Sequence, residues 1–266
     1  MSTPLYEVFA IKYAEVDRKA WGNFVDGDPH EDWDMPLDYY VWAIVGGGRT
    51  FVVDTGFDSS MAAKRHRRLV HGVERGLEAV GVRHAEVEDV IVTHMHYDHC
   101  GNGDLFPNAR FHVQDTEMEY VTGRCMCHHQ LNHAFEADDV ARMVHRVFAG
   151  RVRFHDGTDE LAPGITVHKI GGHTKGLQCV RVATKRGHVV LASDATHFYA
   201  HLESRRVFRI LYNQGDMLEG YDTLERLASS RAHVIPGHDP LVLARYPAVN
   251  AATAGWAVRL DVDPAG

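Results

Sequence analysis

The stretch "VTHMHYDHCGN", residues 92 to 102, places three histidines and an aspartate within the six positions from His94 to His99, directly after an apolar run. In an extended chain, residues two apart point to the same side, so His94 and His96 can reach one point while Met95 and Tyr97 face elsewhere. A helix would separate them. Asp98 and His99 are neighbours, and a chain that turns after the strand can aim both at a second point nearby. The spacing suggests two adjacent metal centres. Imidazole with carboxylate suits zinc, iron, cobalt or manganese, and zinc is the default where neither thiolate nor redox partner is evident.

More ligand-type residues follow down the chain, each after an apolar segment. "GGHTKG" holds His173, "LASDA" holds Asp194 and "IPGHDP" holds His238. All three fall at the C-terminal ends of predicted strands, where loops gather and sites are built. Gly171, Gly172 and Gly237 would let backbone pass close to a metal. "RCMCHH" at 124 to 129 offers Cys125, Cys127, His128 and His129, but C-x-C spacing is weak, and the segment reads better as a loop near the mouth of a site.

The elements that must position these residues emerge from periodicity. "YYVWAIVGGGRTFVVDTG" predicts two strands around a glycine turn at 46 to 48, and "SSMAAKRHRRLVHGVERGLEAVGV" one helix, capped by Ser59 or Ser60 and ending near Gly81. "VEDVIVTH" predicts the buried strand that delivers the histidine cluster, and "ARFHVQ" another. A helix at "ADDVARMVHRVFAG" precedes strands at "ITVHKI", "LQCVRVA" and "HVVLASD". A helix at "DMLEGYDTLERLAS" and a short strand "AHVIPGHD" complete the pattern, which implies mixed layers of helix and sheet. With 266 residues, 45% hydrophobic, and no linker or repeat, residues 1–266 are expected to form a single domain.

Composition narrows the function. A net charge of -8 argues against a nucleic-acid partner, since phosphate tracking wants a basic surface. No apolar stretch approaches the roughly 20 residues of a bilayer span, and the N-terminus lacks a basic start followed by an apolar core. A cytoplasmic protein without membrane association is expected. Four cysteines in a chain of this length do not make a disulfide framework.

"THMHYDH", with His173, Asp194 and His238 behind it, resembles the H-x-H-x-D-H pattern of the metallo-β-lactamase superfamily, and Asp54 in "VVDTG" matches that family's early aspartate. The likeness runs from about residue 40 to 240, and the length, "SDA" and "PGHDP" are most similar to the N-acyl homoserine lactonase branch. The resemblance implies an α/β fold, an αββα sandwich of two mixed β-sheets flanked by helices, with metals at one edge between the sheets. It also implies that His94, His96 and His173 hold one divalent ion, Zn2+ by default, while Asp98, His99 and His238 hold a second. Asp194 would bridge the two, and Asp54 would accept the free N–H groups of ligand histidines.

Two divalent ions that share a water hold it as hydroxide near neutral pH, and they can polarise a carbonyl and stabilise a leaving alkoxide. Those parts suit lactone or ester hydrolysis, with Asp98 among the catalytic groups and no G-x-S-x-G elbow in competition. In the lactonase branch a tyrosine three residues after the bridging aspartate is thought to bond the substrate carbonyl. Here that position is His197, with Tyr199 two further on, and in an extended chain both would line the pocket. Tyr97 could line it through its ring. Glyoxalase-type thioester hydrolysis keeps all seven ligands and is the nearest rival. An iron persulfide dioxygenase would use one metal and three ligands. The expected partner is a small lactone or ester, with a homodimer as a compatible assembly.

Overall fold

The computed structural model describes residues 3–265. Strands β1 (Glu7–Val16), β2 (Leu37–Gly46) and β3 (Arg49–Val53) form an antiparallel meander, and β4 (Arg68–Leu69) pairs with the C-terminal end of β1. From β3 the sheet continues in parallel through β5 (Asp89–Ile91), β6 (Arg110–Gln114) and β7 (Val152–His155). A second sheet follows: β8 (Thr158–Ala162), β9 (Ile165–Lys169), β10 (Gln178–Thr184) and β11 (Gly187–Ser193) are antiparallel neighbours, and β12 (Val234–Pro236) lies parallel to β11. Strand β13 (Ala257–Arg259) returns to the first sheet beside β1.

Parallel neighbours require crossovers, and helices supply them. Helices α1 (Ser59–Arg65) and α2 (Val73–Ala79) link β3 to β5, α3 (Tyr97–Cys100) links β5 to β6, and α4 (Asp115–Val121), α5 (His129–Asn132) and α6 (Ala137–Phe148) link β6 to β7. Between β11 and β12 run α7 (Tyr199–Ser204) and α8 (Gln214–Leu227), and α9 (Leu241–Arg245) follows β12.

Strand periodicity sorts the core into layers. Along β2, Trp42 and Ile44 face the second sheet and meet Val167, Val180 and Leu191, while Val41 and Ala43 face Val73, Leu77 and Met143 of the helices. Both faces are buried, which is why the strand reads as one apolar run. On the far side Met217, Tyr221 and Leu224 of α8 cover Cys179, Val190 and Ala192. The result is the expected helix, sheet, sheet, helix stack, and each fully buried large side chain contributes roughly 1.5–3 kcal/mol.

The predicted helix over 59 to 82 is two helices. Asp58, not Ser59 or Ser60, caps α1 by accepting the Met61 N–H at 2.8 Å, and the chain leaves α1 through His66 in the left-handed conformation (φ 55). The excursion lets Arg68 and Leu69 pair with β1 before Gly72 starts α2. The "RCMCHH" segment forms a 3-10 turn running into α5, with Cys125 half-buried and Cys127 exposed. Neither belongs to any metal-binding group among the described residues.

A polar chain ties the parallel strands together. Asp89 of β5 accepts from Arg49 of β3 at 2.6 Å and from His112 of β6 at 2.9 Å. His112 in turn stacks on His155 of β7, with ring nitrogens 3.0 Å apart, and His155 reaches Asp159 of β8 at 2.9 Å. Burial opposes ionisation of Asp89, but the hydrogen bonds from His112 and Arg49 outweigh it and hold the carboxyl below its ordinary value. Because the folded value is depressed, this stabilisation is present above the unfolded value of about 3.9 and is lost as pH falls through the folded value. Asp89→Ala should lower the unfolding free energy by about 2 kcal/mol at neutral pH. Urea melts of wild type and variant should converge on acidification below about pH 4, and a difference that stays constant to low pH would assign the loss to packing instead.

Candidate metal centre

All the predicted ligand residues sit where strands end. After β5 the chain bends at Thr93, passes His94, is extended at His96 and turns into α3, which carries Asp98 and His99 in its single turn. His173 follows β9, Asp194 follows β11 and His238 follows β12. The seven side chains converge, each at most 8% exposed. Nε2 of His94 and Nε2 of His173 each lie 3.0 Å from Nδ1 of His96. Oδ2 of Asp194 joins them, 3.1 Å from His173 Nε2 and 3.8 Å from His94 Nε2. Its other oxygen, Oδ1, lies 3.0 Å from His238 Nε2 and 3.3 Å from His99 Nε2. Asp98 Oδ2 completes that second group, 3.5 Å from His99 Nε2 and 3.9 Å from His238 Nε2. The two oxygens of one carboxylate thus serve two donor sets.

The outer nitrogens decide what the inner ones can do. Nδ1 of His173 bonds the Ile210 carbonyl at 2.8 Å, Nδ1 of His238 the Asp38 carbonyl at 2.8 Å, and Nδ1 of His99 the Asp54 carboxylate at 2.7 Å. These partners only accept, so each Nδ1 carries a proton and each Nε2 is turned inward, a metal ligand when the ring is neutral and a second N–H when it is charged. Each Nε2 faces carboxylate oxygens, and Nε2 of His99 has no hydrogen-bond partner although it is buried. Carboxylates buried among imidazoles need positive charge beside them, which a metal ion or protonated imidazoles can supply. Two groups of nitrogen and carboxylate oxygen, His94, His96, His173 and Asp194 in one and Asp98, His99 and His238 in the other, fit divalent transition metals of the zinc type, and a third grouping, Asp194, His197 and His238, overlaps both. Burial pushes the His94 and His96 imidazoles well down, whereas Asp194 and Asp98, against the effect of burial, hold His99 and His238 above their ordinary value, and the charge on those imidazoles in turn keeps Asp98 and Asp194 ionised.

Supporting groups fix the cluster from below. The Thr93 hydroxyl donates to Asp54 Oδ2 at 2.8 Å, and its oxygen lies 2.8 Å from Ser193 Oγ and 3.1 Å from His94 Nδ1. Asp54 (φ 62) and Ser193 (φ 47) are left-handed although neither is glycine, strain of a kind that concentrates at functional sites. Glu117 of α4, fully buried, accepts from the Met95 N–H at 2.8 Å, the Thr174 hydroxyl at 2.6 Å and the Gly176 N–H at 3.0 Å. It clamps the loop of His94 and His96 to that of His173. No local pattern announces Glu117, because its partners are far away in sequence. The glycines serve close approach. A Cβ at Gly237 would meet the Ser193 backbone at 2.7 Å and Asp194 Oδ1 at 2.9 Å, beside the cluster, whereas one at Gly172 would meet the Met217 backbone nitrogen at 2.6 Å, so that glycine lets two chain segments approach each other.

Of the pair expected to face the substrate, only His197 reaches the centre. Its Nε2 lies 3.0 Å from Asp194 Oδ2, and its ring stacks on Phe208 with centroids 3.6 Å apart. Tyr199 points the other way. The chain is not extended there: α7 begins at Tyr199, whose N–H donates to Asp239 at 2.9 Å and whose ring packs in the inter-sheet core under Arg245. Tyr97 does line the cleft above the cluster, together with Tyr39, Arg18, Arg67 and Phe208.

Asp54→Ala should weaken metal binding about ten- to a hundredfold by releasing the His99 ring. Competition with a chromogenic chelator measures this, and Asp54→Asn, which keeps volume and an acceptor, should recover part of the loss. Unchanged affinity in both variants would mean that backbone geometry alone orients His99.

Comparison with known proteins agrees with this geometry. The model of the metallo-beta-lactamase superfamily matches residues 34–238. The N-acyl homoserine lactonase AttM of Azorhizobium caulinodans is 29% identical over 177 residues, which cover 62% of this chain and 62% of that protein. The chain thus spans a little under two thirds of the length of such curated relatives. Among solved structures, a quorum-quenching N-acyl homoserine lactone lactonase superposes with TM-score 0.72 at 19% identity, covering 90% of this chain and 94% of the other. AidC, a dizinc quorum-quenching lactonase with a bound product, superposes with TM-score 0.69 at 14% identity, covering 90% of this chain and 89% of the other. At such identities the likeness is one of fold. The family match spans most of the chain and takes in every residue of the cluster, and this protein belongs to the metallo-beta-lactamase superfamily.

Proposed function

We propose that this protein is a metal-dependent hydrolase that opens a lactone, an N-acyl homoserine lactone or a related ring, at a dinuclear centre. His94, His96 and His173 would hold one ion and Asp98, His99 and His238 the other, with Asp194 shared. The observation that carries the reading is the division of the Asp194 oxygens between two nitrogen sets, Oδ2 with His173 at 3.1 Å and Oδ1 with His238 at 3.0 Å. When bound, two such ions supply an acidified water and Lewis acidity toward a carbonyl.

The chain's own residues do the rest. Asp98 lies at the cleft wall with one oxygen toward His99 and His238, where it can hold the proton released by the attacking water and return it to the departing alkoxide. His197, with Nε2 3.0 Å from Asp194 Oδ2, would hold that carboxylate in register, a positioning role. Burial of the ligands excludes bulk water from every side but the cleft. The same donor set would suit a thioester, so substrate class is decided by trial. AttM and its relatives, by name, act on N-acyl homoserine lactones, which favours the lactone.

Protein purified without chelator should hold about two metals per chain, and it should release one acid equivalent per lactone opened, a reaction stopped by chelation and restored by zinc. Asp194→Ala should weaken both metal positions together. Activity retained at a single metal per chain would rule out the shared carboxylate, and efficient cleavage of glutathione thioesters with every lactone ignored would move the assignment to thioester hydrolysis. His197→Ala should cost about ten- to a hundredfold in activity or metal affinity. Tyr199→Phe should leave kcat within about twofold, since its ring lies away from the cleft. A severe loss at Tyr199 alone would reverse the two assignments.

A further inference from the structure

The cleft above the cluster carries more positive charge than neutral-lactone hydrolysis requires. Arg18, Arg65 and Arg67 line it, in a chain whose net charge is -8. Arg65 is fully engaged: its guanidinium bonds Glu136 at 2.6 Å and the His133 carbonyl at 2.6 Å. The other two are not. Among the described residues no carboxylate lies within 4.0 Å of either guanidinium, although eleven other arginines make such pairs with Asp or Glu at 3.0 Å or less.

Their hydrogen bonds are few for groups with five N–H donors each. Arg18 gives one, to the Gly22 carbonyl at 2.8 Å, and lies over the Phe208 ring at 5.4 Å. Arg67 gives two, to the Tyr97 hydroxyl at 3.0 Å and to the Arg65 carbonyl at 2.6 Å. Both are half-buried beside Tyr39 and Tyr97, whose hydroxyls are 3.3 Å apart. The acid acting on Arg67 is Asp98, which is already directed at His99 and His238. Burial, with Arg67 and Arg209 nearby, makes the Arg18 cation harder to hold than usual. Two under-coordinated guanidiniums in a half-buried cleft want an anion. Phe208 joins this wall to the centre, since it stacks on His197 as well as under Arg18.

We propose that Arg18 and Arg67 form a subsite for a carboxylate carried by the substrate apart from its scissile carbonyl, so that the preferred substrate is an anionic lactone or ester. This rests on the cleft being the active site of the hydrolase proposed above. Guanidinium is the side chain best matched to a carboxylate, because its planar fork donates two parallel hydrogen bonds. The apolar and aromatic surface of Tyr39, Tyr97, Phe208 and Ile210 would flank the body of the molecule between this subsite and the metal cluster.

Two measurements on the metal-loaded protein test it. The first compares kcat/KM for a lactone bearing a carboxylate side chain with that for its methyl ester. The anion should be preferred about ten- to a hundredfold, mainly through KM, as befits a charged hydrogen-bonded contact. In Arg67→Met and Arg18→Met the preference should fall toward one, and Arg67→Lys and Arg18→Lys, which keep charge without the fork, should fall between. The second needs no turnover: calorimetric binding of dicarboxylates from succinate to adipate against monocarboxylates of equal length. At least one dicarboxylate should bind about tenfold more tightly in the wild type, and no more tightly than its monocarboxylate in the Met variants. If no lactone is cleaved yet the dicarboxylates discriminate, the hydrolase assignment fails and the subsite stands. If neutral and anionic lactones are opened equally and dicarboxylates gain nothing, the subsite falls while the hydrolase stands. A preference for anions that survives both Met substitutions would belong to the metal cluster and overturn the assignment to these arginines.

Discussion

Imidazole nitrogens buried against carboxylate oxygens are the constraint on which the site depends. His99, His173 and His238 commit their outer N–H groups to Asp54, to the Ile210 carbonyl and to the Asp38 carbonyl, which turns three inner nitrogens toward the carboxylates. Asp194 and Asp98 then bring negative oxygens to within 3.0 to 3.9 Å of those nitrogens. Such an arrangement is costly in a buried place unless positive charge enters it. The acceptors that enforce it come from three separate parts of the fold: the end of β3, the start of β2 and the segment between α7 and α8. Assembling the fold therefore assembles a cation site.

The join between the two sheets transmits this order. Thr93, just past β5 of the first sheet, meets Ser193 at the end of β11 of the second at 2.8 Å and also binds Asp54 beyond β3. One small hydroxyl thus locks together the three strand ends that carry His94, Asp194 and the support of His99. The left-handed conformations of Asp54 and Ser193 turn the chain sharply at those ends, so each side chain projects inward instead of continuing along its strand. Glu117 does the equivalent on the outer side with three accepted hydrogen bonds. Rigid support of this kind keeps seven side chains from different elements convergent.

What the sequence disclosed follows the range of the interactions. His94, His96, Asp98 and His99 are legible because a strand that ends in one helical turn spaces them by local geometry alone. His173, Asp194 and His238 are legible because strand ends can be found from apolar runs, and the family pattern fixes their order. The break between α1 and α2 was hidden because it is made by pairing of Arg68 and Leu69 with β1, more than 50 residues earlier in the chain. Strand β1 itself escaped, since Lys12 and Glu15 interrupt its apolar run and pair with each other at 2.5 Å. Glu117, Thr93 with Ser193, and the open arginines acquire their meaning only from distant partners or from their absence.

The same contrast explains the difference between His197 and Tyr199. Two residues two apart share a face only while the chain stays extended. Asp239, next to the ligand His238, accepts the Tyr199 N–H at 2.9 Å and so starts α7 at that residue. The helical turn swings Tyr199 through to the inter-sheet core beside Val242 and Tyr246, while His197, still before the turn, stays against Asp194. Its place in the cleft is then secured by stacking, with Phe208 at 3.6 Å on one side and His238 at 5.1 Å on the other. His197 thus stays beside Asp194 while Tyr39, Tyr97 and the two arginines line the space over the cluster.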